Sequence, residues 1–295
     1  MFNIDEIKKD ASWCLNCKNR TCSIEGCPIN TDIPEFIAEV KNENYKDAYE
    51  NIISILDNVV PHEPHFFDAP LTRYFLKGST GSVTLCEAVS KDLLKLKPDA
   101  RYTVIQHPLY SHFGEKKDRT EVERKIGLRP GMKNILFFGL IRAYKGLDIL
   151  LEAFGMLPED YQLIVAGEPY GSFEKYQEII DRISGKDRIH LNLKYIKDSE
   201  VSEWFSVADL AVLPYRSATQ SGISSVSYHF EVPMIVTDVG GLKETIGDRG
   251  TGLVSKEGTP EAICSEIEKY FADHPELEYD IRVTDGVGSA TRIAQ

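Results

Sequence analysis

The chain has 295 residues, enough for one large or two ordinary domains with a true apolar core. Its formal net charge is −12 with no strongly basic block, which argues against a nucleic-acid partner but permits a local cationic pocket. No apolar run is long enough for a transmembrane segment, and the opening MFNIDEIKKDAS lacks the apolar core of a signal peptide, so a cytoplasmic location is expected.

Four of the six cysteines, Cys14, Cys17, Cys22 and Cys27, follow the spacing C-x2-C-x4-C-x4-C-P. Without export signals, such a cluster more often holds metal than forms disulfides. The segment WCLNCKNRTCSIEGCPINTDIPEFIAEV resembles the start of the iron–sulfur domain of the glutamate synthase small subunit and dihydropyrimidine dehydrogenase. That resemblance implies an iron–sulfur cluster at these cysteines, with zinc as the alternative, and an electron-transfer module as one reading of the chain. In two-cluster arrangements the last cysteine of the run serves a different cluster from the first three. The remaining cysteines, Cys86 and Cys264, sit in a strand-like and a helical context and read as small core residues. The ligand set is therefore half of what two clusters need, and the flavin- and NADPH-binding parts of that family have no counterpart.

KNENYKDAYENIISIL, residues 41–56, reads as one continuous helix. From Asn58 a strand, a polar loop and a helix are expected. His62, Glu63 and His65 form H-E-P-H rather than H-E-x-x-H, and Pro64 opposes the helix that metal motif requires, so this is a loop. SVTLCEAVSKDLLKL is a strand running into a helix with Ser90 as a candidate cap, and RYTVIQHPLY is another strand. Residues from Tyr110 to Pro130 form a charged connection with a short helix over Thr120–Ile126.

Strand and helix then alternate. Strands are expected at Ile135–Phe138, Gln162–Ala166, Ile189–Leu193, Leu210–Leu213 and Met234–Thr237. Helices are expected at Gly146–Phe154, Phe173–Ile183, Ser199–Val207, Ser221–Phe230 and Pro260–Phe271. This alternation predicts the α/β class: a Rossmann-like, doubly wound parallel sheet. In NILFFGLIRAYKGLDILLEAF, an apolar strand enters a loop holding Gly139, Arg142, Lys145 and Gly146, then a helix striped by Leu147, Leu150, Leu151 and Phe154. Free backbone amides, the helix dipole and two cations make this a candidate phosphate site. Other strand ends carry Gly167 and Glu168, Ser221 with Gly222, and Gly240 with Gly241. Together these loops describe a nucleotide crevice.

From about Asn58 to Phe271 the chain resembles the large retaining family of two-lobed (GT-B) glycosyltransferases that includes sucrose synthases and many cell-surface mannosyl- and glucosyltransferases. FFGLIRAYKGLDILLEAF, LIVAGEP, VADLAVLPY and PMIVTDVGGLKE carry the resemblance, in the family's order and spacing. It implies a nucleotide-diphosphate sugar as donor and a glycan or lipid-linked acceptor. Lys145 would contact the donor diphosphate, and Arg142 would reach the same phosphate although the family's arginine usually follows the glycine directly. Gly139 would let the backbone approach the donor, and Tyr195 and Ile196 would hold the base. The family's paired-glutamate positions fall near Ala218 and Val226, neither of them acidic; Gln220, Ser221 and Ser224 or Ser225 offer polar replacements.

The expected pieces are a cysteine-rich helical head (1–52), a remnant of the acceptor lobe (53–112), a donor lobe (113–273) and an unassigned tail (274–295). Glycosyl transfer, electron transfer and a spliced, non-catalytic chain are the three functional readings this organisation allows.

Overall fold

The computed structural model describes residues 52–63, 66–105, 110, 112–247 and 251–273, with Asn42 besides. Cys14, Cys17, Cys22 and Cys27, the helix expected through 43–51 and the tail 274–295 lie outside these residues. The chain divides into two units, Met1–Gln106 and His107–Gln295.

The first unit runs β1 (Ile53–Leu56), α1 (Asp68–Lys77), β2 (Gly81–Thr84), α2 (Glu87–Leu96) and β3 (Tyr102–Val104). The strands pair in parallel in the order β1-β2-β3, with Ile53 opposite Gly81 and Ser82 opposite Tyr102. Leu56, Leu76, Cys86, Val89 and Leu93 form the core. Two expectations are corrected here. The helix read through residue 56 gives way to β1, because Ser54 and Leu56 turn inward while Ile55 stays exposed, a period-two pattern fixed by pairing with β2. The strand expected from Asn58 is therefore displaced into the segment before it. Ser90 does not cap α2, whose N-cap is Cys86; its hydroxyl lies inside the helix and donates back to the carbonyls of Cys86 and Glu87, both at 3.2 Å.

The second unit contains α3 (Arg119–Ile126), β4 (Lys133–Phe138), α4 (Leu147–Phe154), β5 (Tyr161–Ala166), α5 (Glu174–Arg182) and β6 (Ile189–Asn192). It continues with α6 (Asp198–Val207), β7 (Leu210–Leu213), α7 (Gly222–His229), β8 (Met234–Thr237), β9 (Gly252–Ser255) and α8 (Pro260–Asp273). The sheet is parallel throughout, in the order β6-β5-β4-β7-β8-β9. Strand alternation sends Leu136, Ile164 and Leu213 into one core with α6 and α7, and Ile135, Phe137 and Val165 into another with α4, α5 and α8. The α/β doubly wound architecture is thus as expected, and each expected strand of this unit is present within two residues. β9 was not anticipated. Among the described residues, no helix is long and apolar enough to cross a membrane.

Candidate functional site

The winding of the large sheet determines where a ligand fits. β4, β5 and β6 proceed outward in one direction; the chain then returns and lays β7 on the other side of β4. The loops leaving β4 and β7 therefore diverge and open a crevice at the carboxyl ends of those two strands.

After β4 the backbone turns at Gly139, with φ +93°. A side chain there would meet Ile223 Cδ1 at 3.1 Å and Lys145 Nζ at 3.5 Å, so the bare Cα is the meeting point of the two loops. One turn of 3-10 helix, Ala143–Lys145, leads to Gly146 at φ +68°, where a Cβ would sit 2.0 Å from the Pro214 carbonyl oxygen. Lys145 is half-buried, its Nζ 5.8 Å from the centre of the Tyr215 ring. Among the described residues its ammonium has neither a hydrogen bond nor an ion pair. Loss of water, and secondarily the like charge of Arg142, pushes its pKa down to about 8. The Arg142 guanidinium lies 3.9 Å from the centre of the Tyr170 ring, a stacked cation–π arrangement.

After β7, Tyr215 is buried and its hydroxyl lies 3.3 Å from Ser221 Oγ. Burial pushes the phenol pKa up, so it stays neutral. Ser221 caps α7 by accepting the Ile223 N–H at 3.3 Å, and Gln220 precedes it, half-buried. The Gly222 amide has no hydrogen-bond partner among the described residues, and the Tyr110 ring lies 3.4 Å from where its Cβ would stand.

Beside this point lies a cavity of about 490 Å³. Gly139, Tyr195, Ile196 and Gly222 line it with Tyr110, Phe113, Phe138, Val201, Ile223 and Val226. Among the described residues, Glu168 and Asp198 are the carboxylates in its lining. The structure thus gathers four of the sequence-derived residues on one wall, with Lys145 adjoining through Gly139. Ser221 and Gln220 immediately precede α7 and are not among the lining residues. Gly240 and Gly241 are not among the lining residues of this cavity: at Gly240 (φ +54°) a Cβ would overlap the Ala218 carbonyl, and the Gly241 N–H donates to Thr219 O at 2.9 Å. They pack the loop that carries Gln220 and Ser221. Tyr110 and Phe113 were not singled out from the sequence; their signal was two aromatics in an otherwise charged connection.

The family described as "Glycosyl transferases group 1" matches residues 118–282. The chain belongs to that family. A second match, to dihydropyrimidine dehydrogenase domain II with its 4Fe-4S cluster, covers residues 1–62. The lipopolysaccharide core biosynthesis mannosyltransferase LpsB of Rhizobium meliloti is 29% identical over 189 residues, 61% of this chain and 53% of LpsB. A D-inositol 3-phosphate glycosyltransferase of Pseudarthrobacter chlorophenolicus is 29% identical over 168 residues, 55% of this chain and 40% of its own length. This group 1 glycosyl transferase therefore spans about half the length of such relatives, or less. Among solved structures, Anabaena Alr3699/HepE in complex with UDP and glucose superposes with TM-score 0.67 at 14% identity, covering 88% of this chain and 69% of HepE. WaaG, a glycosyltransferase involved in lipopolysaccharide biosynthesis, gives TM-score 0.66 at 18% identity, covering 91% of this chain and 83% of WaaG. These likenesses establish the α/β Rossmann-like GT-B fold.

Proposed function

We propose that the second unit binds a nucleotide-diphosphate sugar in this crevice, and that the whole protein transfers the sugar with retention to a glycan or lipid-linked acceptor. One observation carries the reading: at Gly139, an unpaired half-buried ammonium and the first turn of α7 meet beside an apolar cavity. A diphosphate needs cationic and N–H donors, and a base needs a flat apolar wall. Lys145 and the Gly222 amide are the donors, while Tyr195 and Ile196 hold the base. Charge on the departing diphosphate grows during transfer, and a preorganised, poorly hydrated ammonium stabilises it there without reorganising. Val226 is 3% exposed in the cavity wall, so it offers a sugar or ribose no carboxylate; Gln220 and Ser221, just before α7, make that contact in its place. The co-crystallised UDP and glucose of HepE support this choice of ligand class.

The test is thermal unfolding with and without millimolar UDP, GDP and ADP. A nucleotide at about a hundred times its dissociation constant adds roughly 2.7 kcal/mol and raises the midpoint visibly. A cooperative transition that ignores all three would overturn the reading.

The match over residues 1–62 favours a second activity, with Cys14, Cys17, Cys22 and Cys27 holding an iron–sulfur cluster or zinc. The described residues add no ligands to that set. Cys86 and Cys264 are buried in separate apolar cores, and no group of three or more metal-binding side chains occurs among the described residues. Cys86 and Cys264 therefore do not complete a two-cluster ligand set.

A further inference from the structure

Arg216 follows Tyr215 in the loop after β7 and makes a concentrated set of bonds to the loop after β4. Its Nη1 and Nη2 donate to the two carboxylate oxygens of Asp148 at 2.8 and 2.7 Å. Nη1 also donates to the Ala143 carbonyl at 3.0 Å, and its backbone N–H donates to Tyr144 O at 2.7 Å. Asp148 is in the first turn of α4, and Ala143 and Tyr144 belong to the one-turn helix that ends at Lys145. One residue therefore grips the Lys145 turn from both sides. The adjacent Tyr215 meets the Tyr144 ring edge-on at 6.1 Å and lies 3.3 Å from Ser221 Oγ, the cap of α7.

Stability is a weak explanation for this grip. The side chains of Arg216 and Asp148 are 46% and 28% exposed, and ion pairs so placed contribute little to folding. What the bidentate geometry supplies is direction, since a planar fork fixes the angle of whatever it holds. We propose that Arg216, through Asp148 and the 143–145 turn, is a positioning residue that aims the Lys145 ammonium at the same point as the α7 N-terminus. The inference rests on the diphosphate reading for what is bound there, but not for the placement of Lys145 itself.

Among the described residues, the ionisable groups facing Lys145 are Arg142, the N-cap of its own turn, and Tyr215 from the β7 loop. Loosening the turn lets water reach the ammonium, which relieves the larger cause of its lowered pKa. The placement is therefore readable without any nucleotide: competitive acetylation of the intact chain between pH 6.5 and 10, with the Lys145 peptide followed by mass spectrometry. In the native chain Lys145 should titrate near 8. Arg216→Gln and Asp148→Asn should move that midpoint upward toward an ordinary lysine and weaken binding of whichever of UDP, GDP or ADP binds best by about tenfold. The thermal midpoint should hardly change. Arg216→Lys, which keeps the charge without the fork, should fall between. An unchanged Lys145 titration and unchanged affinity in folded Arg216→Gln and Asp148→Asn would overturn the proposal. If the native chain binds none of the three nucleotides while the Lys145 midpoint still moves in the variants, the positioning role stands and the nucleotide reading falls.

Discussion

At the amino ends of β4, β5 and β7, Arg119, Asp209 and the buried amides of Asn134 and Gln162 are joined in one network; at the carboxyl ends of the same strands, the half-buried Lys145 ammonium has no hydrogen bond or ion pair among the described residues. Arg119 donates Nε to Glu123 at 2.7 Å and Nη2 to Asp209 at 2.9 Å, and Asp209 also accepts the Asn134 backbone N–H at 2.8 Å. The Asn134 amide reaches Val207 O at 2.7 Å, and Gln162 Nε2 reaches Asn134 Oδ1 at 2.6 Å and Arg129 O at 2.9 Å. The hydrogen bond to Asp209 raises the Arg119 pKa above its ordinary value, whereas burial pushes that of Lys145 down. The first network ties strands and α3 together, so folding explains it. A desolvated ammonium with no carboxylate opposes folding, and its place in the sheet's crevice is explained by a ligand that answers it.

Breaking the amino end should have the largest effect. Asn134→Ala removes a fully buried amide, takes one of the two acceptors from Gln162 Nε2 and removes the side-chain donor from the Val207 carbonyl. Urea denaturation should show a loss of about 3 kcal/mol, with nucleotide affinity unchanged in the protein that remains folded. Lys145→Ala should do the reverse. Removing the charge-assisted contact should cost about 2 kcal/mol of diphosphate affinity by calorimetry, while the unfolding midpoint stays level or rises. Undiminished binding would remove Lys145 from the site.

The same contrast decides what was legible in the sequence. Strands β4, β5, β7 and β8 are buried on both faces, so each carries an apolar run (Ile135–Phe138, Leu163–Ala166, Leu210–Leu213 and Met234–Val236), and the turn between β4 and α4 is visible from its glycines and cations. β9 is a four-residue GLVS with a half-buried middle, too short and mixed to stand out. At β1 a helical pattern in the sequence runs into the strand, and only pairing with β2 reverses that preference. The grip of Arg216 on Asp148 spans sixty-eight residues of sequence, and a lone Arg and a lone Asp carry no local trace of each other. Tyr110 and Phe113 were hidden the same way, since a cavity wall built from a connecting segment has no period.

Titration sharpens the comparison further, with opposite signs for folding and for binding. With its folded pKa near 8 and the ordinary lysine value at 10.5, Lys145 binds fewer protons folded than unfolded between those values. Its contribution to stability therefore rises as pH climbs from 8 to 10.5, and is unfavourable and constant below that window. Binding needs the ammonium, so affinity for a nucleoside diphosphate should fall through pH 8 while the chain becomes no less stable on this account. Calorimetry at pH 7 and pH 9 tests it, with Lys145→Ala as the control that loses the pH dependence.

The smallest expected effect is none. Cys14 belongs to the segment matched to a cluster-binding domain, whereas every residue assigned to the crevice comes from the second unit, from Tyr110 to Val226. No candidate donor-site group needs a cysteine, and the two described cysteines pack as apolar side chains. Cys14→Ser should therefore leave nucleotide affinity and its pH midpoint where they are, while removing any metal the segment holds, as read by the iron or zinc content of the purified chain. A loss of nucleotide affinity beyond about threefold, under 1 kcal/mol, would show that the two matched segments are energetically coupled.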